Sequence, residues 1–446
     1  MKLFKKDEAK KAAYKVNTPK EQKLIAQIER DYENAKTTRQ PYIDEFTEIN
    51  RFYMGDHWRN LRSAKAKQVR PNSVDNYVFS IIEGLVSEFS NEPDIIARPT
   101  EPGDEESAKA VTDLTRFVMN KNKFKDEQAK GLRNFFKYGQ LIFQVYWDHT
   151  WQGGKGGNRW AGDVRIVSRN PGEMFPDPRC KDHIQNAEFV IVAVPRTLEY
   201  IKKNYPDRGM YVEDDLEFQD VEFFDDNQLD AEANSRRVLV KEYWYKGEPK
   251  LLGDDEENQG YGVHVATVAG GVLLRHVSYI YEHGLYPFVW RNCYPRENSI
   301  WGFGEILQLK TPQIMLNKTD ENIIEGLVHQ TFGIKVFNAD SMSEKQKAVV
   351  RAKGTLPGQW FEVNDVDGIK PIYGQGIPAG AFEYYSQKKT SMETITGRFD
   401  TTQGRIPKGI TAASAIIELN ERATSRMKSK EISVAMALQE VVLAVK

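Results

Sequence analysis

Four stretches of the chain hold residue types that could do chemistry. Gly153-Gly-Lys-Gly-Gly157 has the composition of a phosphate loop, but it lacks the required spacing between a first glycine and a Gly-Lys-Ser/Thr triplet. A flexible hairpin tip is therefore expected there. Between Glu213 and Glu232 lie ten acidic residues and no basic one. That run fits a solvated loop, a surface for a basic partner, or a metal site, although the glycine and terminal glutamate of a calcium loop are missing. A third stretch, Gly397-Arg-Phe-Asp-Thr-Thr-Gln-Gly-Arg-Ile-Pro-Lys-Gly409, is a loop by its punctuation and carries Arg398, Arg405 and Lys408. The fourth is a basic helix containing Lys345, Lys347, Arg351 and Lys353. The seven histidines are scattered, and two cysteines, Cys180 and Cys293, are too few for a zinc site or a disulfide framework. No compact nucleophile, base and acid set emerges, so the residues favour a non-catalytic protein without cofactors.

Composition narrows the class further. The 446 residues suffice for roughly two to four domains, and 40% hydrophobic content supports real cores. Lys plus Arg (62) nearly balances Asp plus Glu (64), so no overall basic field draws the chain to nucleic acid. No apolar run approaches the roughly 18 residues of a membrane span, and the basic start Met1-Lys-Leu-Phe-Lys-Lys has no apolar segment behind it. Residues 1–23 are Lys-rich and read as a solvated arm, or as one that touches nucleic acid or a partner.

The elements expected to position these stretches make an α+β chain. Helical periodicity begins at Leu24 and runs through Phe46, Ile49 and Phe52 to a stop at Gly55. Further helices are expected from Val74 to Phe89, from Glu101 to Lys121 with Val111, Leu114, Phe117 and Val118 as its core face, and from Phe124 to Tyr138. Gln140–Asp148 should pair with Asp163–Val167 as strands. Asn170 to Arg179 reads as a proline-punctuated loop, Phe189–Pro195 as a strand, and Leu198–Asn204 as a short helix. Arg237–Tyr245, Gly262–Val268, Gly271–Val277 and Leu285–Arg291 then supply a β-rich region hanging from the helical base, the two together covering residues 24–304.

From residue 301 the pattern changes to helix, insert, helix, loop and helix. Glu305–Phe332 is expected to be a long helix that Pro312 bends. Its apolar seam is Ile306, Leu309, Leu316, Ile323, Ile324, Leu327 and Val328, with Lys310, Asn317, Lys318, Asp320, Glu321 and Glu325 on the polar faces. The insert over 333–376 holds a strand at Ile334–Phe337, a helix from Glu344 opened by the Ser343-x-x-Gln346 capping pattern, and extended pieces at Trp360–Val363 and Ile369–Tyr373. A second helix over 377–396 carries the stripe Phe382, Tyr385, Met392 and Ile395 and should run antiparallel to the first. After the loop at 397–409, Thr411 caps a final helix over 410–446, with no helix stop before Lys446.

This succession resembles the portal protein, or head-to-tail connector, of tailed bacteriophages. The likeness rests on Phe52-Tyr-Met-Gly-Asp-His-Trp58, Arg70-Pro-Asn72, Lys137-Tyr-Gly139 before Val145-Tyr-Trp-Asp148, Phe175-Pro-Asp-Pro-Arg179, Tyr286-Pro-Phe-Val289, Gly302-Phe-Gly-Glu305 and Gln403-Gly-Arg-Ile-Pro-Lys-Gly-Ile410, in that order. The resemblance implies a mixed wing up to 304 and two antiparallel stem helices at 305–332 and 377–396. It also implies a small α/β clip at 333–376, a tunnel loop at 397–409 and a long wing helix at 410–446. By the same resemblance, the crown that many members carry after this helix is expected to be absent or truncated. It further implies a ring of about twelve copies at one capsid vertex, through which double-stranded DNA is packaged and ejected without sequence specificity. The partners would be the terminase packaging motor, a head-completion adaptor, and capsid and scaffolding proteins. The subunit would be assembled in the host cytoplasm and reside in the virion, with no membrane involved.

On this reading Arg398, Arg405 and Lys408 offer weak phosphate contacts, with Lys388 and Lys389 as lumen residues, or else these cations make ion pairs between subunits or are plainly solvated. Lys345, Lys347, Arg351 and Lys353 would meet the motor or adaptor. The rival class is a packaging enzyme, an ATPase or a metal-dependent nuclease using the acidic run at 213–232; a ring or scaffold protein unrelated to phage is a second rival.

Overall fold

A computed structural model of the chain describes residues 16–59, 61, 72–90, 95–99, 101, 103–148, 151, 162–213, 237–246, 262–281, 283–332, 334–337, 343–353, 369–372, 376–397 and 413–445, apart from the side chains at 332–337, 350–351, 353, 369–372 and 413–426. The chain divides into two units. One comprises Met1–Tyr53, Ser80–Leu307 and Lys408–Lys446; the other comprises Met54–Phe79 and Gln308–Pro407.

The first unit is built on β-structure. Helix α1 (Pro19–Tyr53) is followed by α2 (Tyr77–Phe89, of which Ser80 onward belongs here), α3 (Glu105–Lys121) and α4 (Phe124–Tyr138). Strands β1 (Gln140–Asp148) and β2 (Asp163–Ser168) pair antiparallel, and β8 (Phe288–Asn292) pairs with the other edge of β1. Strands β3 (Met174–Pro176), β4 (Phe189–Thr197), β5 (Arg237–Lys246), β6 (Val263–Ala269) and β7 (Val272–Val277) form a five-stranded antiparallel sheet in sequence order, with α5 (Leu198–Asn204) after β4.

Alternation along the five-stranded sheet gives it two apolar faces. Phe189, Ile191, Ala193, Leu239, Tyr243 and Tyr245 pack under Leu24, Ile28, Tyr32 and Ala35 of α1. Val238 and Val240 point the other way, toward Ile201 of α5 and Val272 and Leu274. A two-stranded ladder of β9 (Tyr294–Arg296) and β10 (Ser299–Phe303) follows. At Gly139 (φ +97°), the C-cap of α4, a Cβ would strike the Phe303 backbone, so the turn into β1 requires glycine. The unit closes with α9 (Ala413–Val445) packed on β8 and β1.

Several expectations are corrected in this unit. The arm does not reach Lys23: α1 begins at Pro19, and buried Asn17 is tied by its side chain to Gly271 O and Leu273 N at 3.0 and 3.2 Å. Residues 1–15 lie outside the described residues, as do the glycine-rich tip at 153–157 and residues 214–236 of the acidic run. The second and third helices start three or four residues later than expected, at Tyr77 and Glu105. On α3 the buried face is Thr115, Val118 and Met119, while Leu114 and Phe117 are exposed. The periodicity there found the helix and placed Val118 inside correctly, but the covered face is turned toward Thr115 and Met119 rather than Leu114 and Phe117. The proline-punctuated loop hides β3, an edge strand, where Pro176 costs no ladder hydrogen bond. The last expected strand is shifted to Phe288, and β9 and β10 went unseen because each is too short to show a period.

The second unit is mainly helical. Most of α6 (Glu305–Phe332, from Gln308) lies here, with β11 (Ile334–Phe337) paired antiparallel to β12 (Ile369–Ile372), α7 (Glu344–Lys353) between those strands in sequence, and α8 (Ala379–Thr396). Helices α6 and α8 run antiparallel. Ile377, just before α8, packs against Gly326 late in α6. At the opposite ends, Tyr77 bonds both Gln313 and Glu393.

Pro312 does not end α6, which continues through it. The expected apolar seam of α6 holds at Ile306, Leu309, Leu316 and Ile323, which are buried, but not at its C-terminal end, and part of the expected polar face is buried too. Gln313 and Asn317 are fully buried and Glu321 is almost so, while Leu327 and Val328 are about half exposed. On α8, Met392 is buried but Phe382 is exposed. Residues 360–363 and Thr411 lie outside the described residues, and the final helix is described from Ala413.

Candidate functional site

The second unit gathers most of the described residues to which function can be attached. Its centre is the segment 72–77, which takes side-chain contacts from both long helices. Asn76 caps α2 by accepting Phe79 N–H at 3.1 Å, and Gln313 completes that helix start from α6. The Gln313 Oε1 accepts Tyr77 N–H and Val78 N–H at 3.1 and 3.2 Å, satisfying amides that a helix N-terminus leaves open. Its Nε2 donates to Asp75 O and to Asn317 Oδ1, the latter at 2.8 Å. Asn317 in turn bonds His57 Nδ1 at 2.7 Å, and Ser73 donates to Asp320.

From α8, Tyr385 donates to Asp75 Oδ2 at 2.6 Å and Lys389 pairs with the same oxygen at 2.8 Å. The Lys389 ammonium also lies 5.3 and 4.9 Å from the centres of the Tyr77 and Tyr385 rings. Tyr77 donates its hydroxyl to buried Glu393. Burial pushes the Asp75 carboxyl up, but the hydrogen bonds from Lys389 and Tyr385, with the Lys389 charge, outweigh it and hold the group below the usual carboxylate range. Burial, and then the hydrogen bond to Asp75, push the Tyr385 hydroxyl upward. This is a polar clasp between two helices, with no reactive geometry in it.

The expected site residues are distributed unevenly. Lys389 is committed to Asp75. Its neighbour Lys388, half-buried, lies over the Tyr384 ring at 5.0 Å. Lys345 is exposed on α7, and Lys347 pairs with Glu344 one turn away at 2.7 Å. Arg351 and Lys353 belong to the same helix, but their side chains lie outside the described residues, as do Arg398, Arg405 and Lys408 entirely. Among the described residues no group of three or more His, Cys, Asp or Glu side chains could hold a metal ion, and no helix is long and apolar enough to cross a membrane.

Two charged clusters in the first unit escaped the sequence reading. Arg133 grips Glu83 with two hydrogen bonds, 2.9 and 3.0 Å, and Tyr53 donates to the same carboxylate at 2.6 Å. The Arg133 bonds first, and then the Tyr53 bond and nearby positive charge, carry Glu83 below its ordinary value against the opposing effect of burial. Beside them Lys137 donates to Asn50 Oδ1 at 2.8 Å and sits over the Tyr53 and Tyr138 rings; burial lowers its ammonium to about 8. The second cluster pairs Glu305 with Lys430. Neither pair is local in sequence, so no spacing rule could have found them.

The chain thus presents a mixed α+β subunit whose described polar clusters hold helices together. The phage P22-like portal protein family model matches residues 29–429, and the chain belongs to that family. Its role is therefore structural, at the capsid vertex of a phage particle, and the packaging-enzyme alternative is not favoured. No curated protein sequence matches the chain.

Proposed function

We propose that the chain is the repeating subunit of a closed ring whose central passage carries double-stranded DNA during packaging and ejection. The observation that carries this reading is the family match across residues 29–429. Helices α6 and α8 would be the stem walls, and β11, α7 and β12 the clip between them. The 397–409 stretch would be the tunnel loop, α9 the wing helix, and the rest of the first unit the wing. The antiparallel α6 and α8, with a small α/β insert between them in sequence, support this assignment. So do Leu327, Val328, Phe382 and Tyr384, which a lone subunit leaves exposed on these helices. Head-to-tail contact between identical copies closes such a ring, about twelve in number. Electron-microscope class averages of the purified protein should show closed rings; a stable monomer at high concentration would overturn the proposal.

Within the ring, Arg398, Arg405, Lys408 and Lys388 make a few weak phosphate contacts. Lys389 contributes little to them because Asp75 neutralises it. Removing the three loop charges should alter packaging or genome retention, and unchanged values of both would rule these contacts out. Helix α7, with Lys345, Lys347, Arg351 and Lys353, docks the terminase motor or the head-completion adaptor. Charge reversal of α7 should weaken binding of one of them in a pull-down, and equal binding of both would exclude this surface. Capsid and scaffolding proteins meet the wing, and assembly takes place in the host cytoplasm.

A further inference from the structure

The first turn of α6 and the middle of α9 meet at an ion pair inside the first unit. The Lys430 ammonium bonds Glu305 Oε1, and the two side chains are 2% and 0% exposed. The Tyr294 hydroxyl donates to the same oxygen at 3.0 Å, and the ammonium lies 5.4 Å from the centre of the Tyr294 ring. Glu305 Oε2 has no hydrogen-bond partner among the described residues, and the fully buried thiol of Cys293 feels the Glu305 charge. Burial raises the Glu305 carboxyl in spite of Lys430 and Tyr294. A charge pair so placed is a poor source of stability compared with well-packed apolar side chains.

What the pair supplies is visible in the buried seam of α9. Met427, Lys430, Val434, Ala437 and Val441 are all buried and follow one another at alternating steps of three and four. Such a seam repeats every heptad. A seven-residue slip would put Val434, Ala437, Val441 and Ala444 into the seats of Met427, Lys430, Val434 and Ala437. Of the four seats refilled in this way three stay apolar, and at the fourth Ala437 would leave Glu305 buried without its counter-charge; the slip would also vacate the Val441 seat and part Glu440 from Arg291, a pair that is partly exposed and so contributes little. The slip would displace the whole helix by about 10 Å at 1.5 Å per residue. Apolar packing alone therefore discriminates weakly between the two seatings.

We propose that the Glu305–Lys430 pair is the register lock of α9, selecting one seating among heptad-related alternatives at a cost in stability. The proposal rests on the first unit alone and holds whether or not the chain lines a DNA channel. Spin labels on Ser429→Cys and Lys181→Cys, both exposed positions of the first unit, read the seating as a distance in the full-length protein; the native cysteines are buried. The parent should give one distance. The double variant Glu305→Met/Lys430→Met should stay folded, with thermal stability equal or higher, yet give two distances, or one broadened by up to about 10 Å. The reversed pair Glu305→Lys/Lys430→Glu should restore a single distance. Lys430→Met alone, which strands the carboxylate, should speed amide exchange across residues 431–445 by about a hundredfold to a thousandfold. A single parental distance in the double variant, or two distances in the reversed pair, would overturn the lock. So would unchanged exchange in Lys430→Met.

Discussion

The two units are held together by different physics. In the first, α1 and the five-stranded sheet bury a continuous apolar layer from Leu24 to Leu273, with Phe175 fully enclosed between Tyr32 and the Arg39 guanidinium. In the second, buried apolar residues such as Val78, Leu309, Leu316, Ile323 and Met392 are joined by a polar network: Gln313, Asn317, His57 and Glu393 are buried, and Asp75, Tyr385 and Lys389 close the edge. Apolar burial is non-directional and tolerates repacking, whereas a hydrogen-bonded clasp demands one geometry and penalises every unmet group. The second unit fixes the spacing of two helices while leaving Leu327, Val328, Phe382 and Tyr384 uncovered.

Mutations in each unit can break this contrast, and region-resolved amide exchange reads each unit separately where a single unfolding midpoint would blur them. The largest effect is expected from Phe175→Ala, which removes a fully buried ring and should cost about 3–5 kcal/mol throughout the α1 and five-stranded layer. Protection there falling by less than tenfold would show that the layer does not depend on this ring. Next is Lys137, whose ammonium is carried down to about 8 by burial. The unfolded chain holds its proton up to about 10.4, so between these values it binds more protons than the folded chain and stability rises with pH. Below pH 8 the cost is present in full, on the order of 3 kcal/mol at most. Lys137→Met should remove this rise, and an unchanged pH profile of chemical denaturation would contradict it.

In the second unit, Gln313→Ala leaves two helix-start amides and the Asp75 carbonyl without their partner. It should cost about 1–3 kcal/mol, seen as faster exchange at Tyr77 and Val78. If Gln313→Leu, which keeps the volume, restores protection, the clasp works by filling space and the contrast between the units dissolves. Asp75→Asn should cost about 1 kcal/mol or less, because the ion pair with Lys389 is partly exposed. Since the Asp75 carboxyl is held below its ordinary range, its contribution is complete above that range and is lost as the pH falls through the lowered value. The Asn variant should therefore match the parent at low pH and fall behind it near neutrality.

Much of the element map was legible beforehand. The helices Phe124–Tyr138, Leu198–Asn204, Glu305–Phe332 and Ala379–Thr396 and the strand Gln140–Asp148 stand where periodicity and punctuation put them. The helix faces that were misread share one cause. On α3 and α6 two adjacent faces both carry apolar residues, and only the neighbours decide which is covered. Leu114 and Phe117 are therefore exposed where they were expected inside, and Asn317 and Glu321 are buried where they were expected outside. The candidate site was half legible: Lys388 and Lys389 lie on α8 as a pair, but Asp75, about three hundred residues earlier, is what separates their roles.

By itself the sequence determined the α+β class, the run of long helices around a small insert, and the family, because local periodicity and the order of short motifs are properties of the chain. Only the tertiary structure decided which polar residues go inside. Gln313 reads as a surface residue until the Tyr77 and Val78 amides reach it, and Lys430 reads as one more exposed lysine until Glu305 faces it across 125 positions. A buried polar group is acceptable only with its partner in place, and when that partner is distant in the chain, folding alone brings the two together.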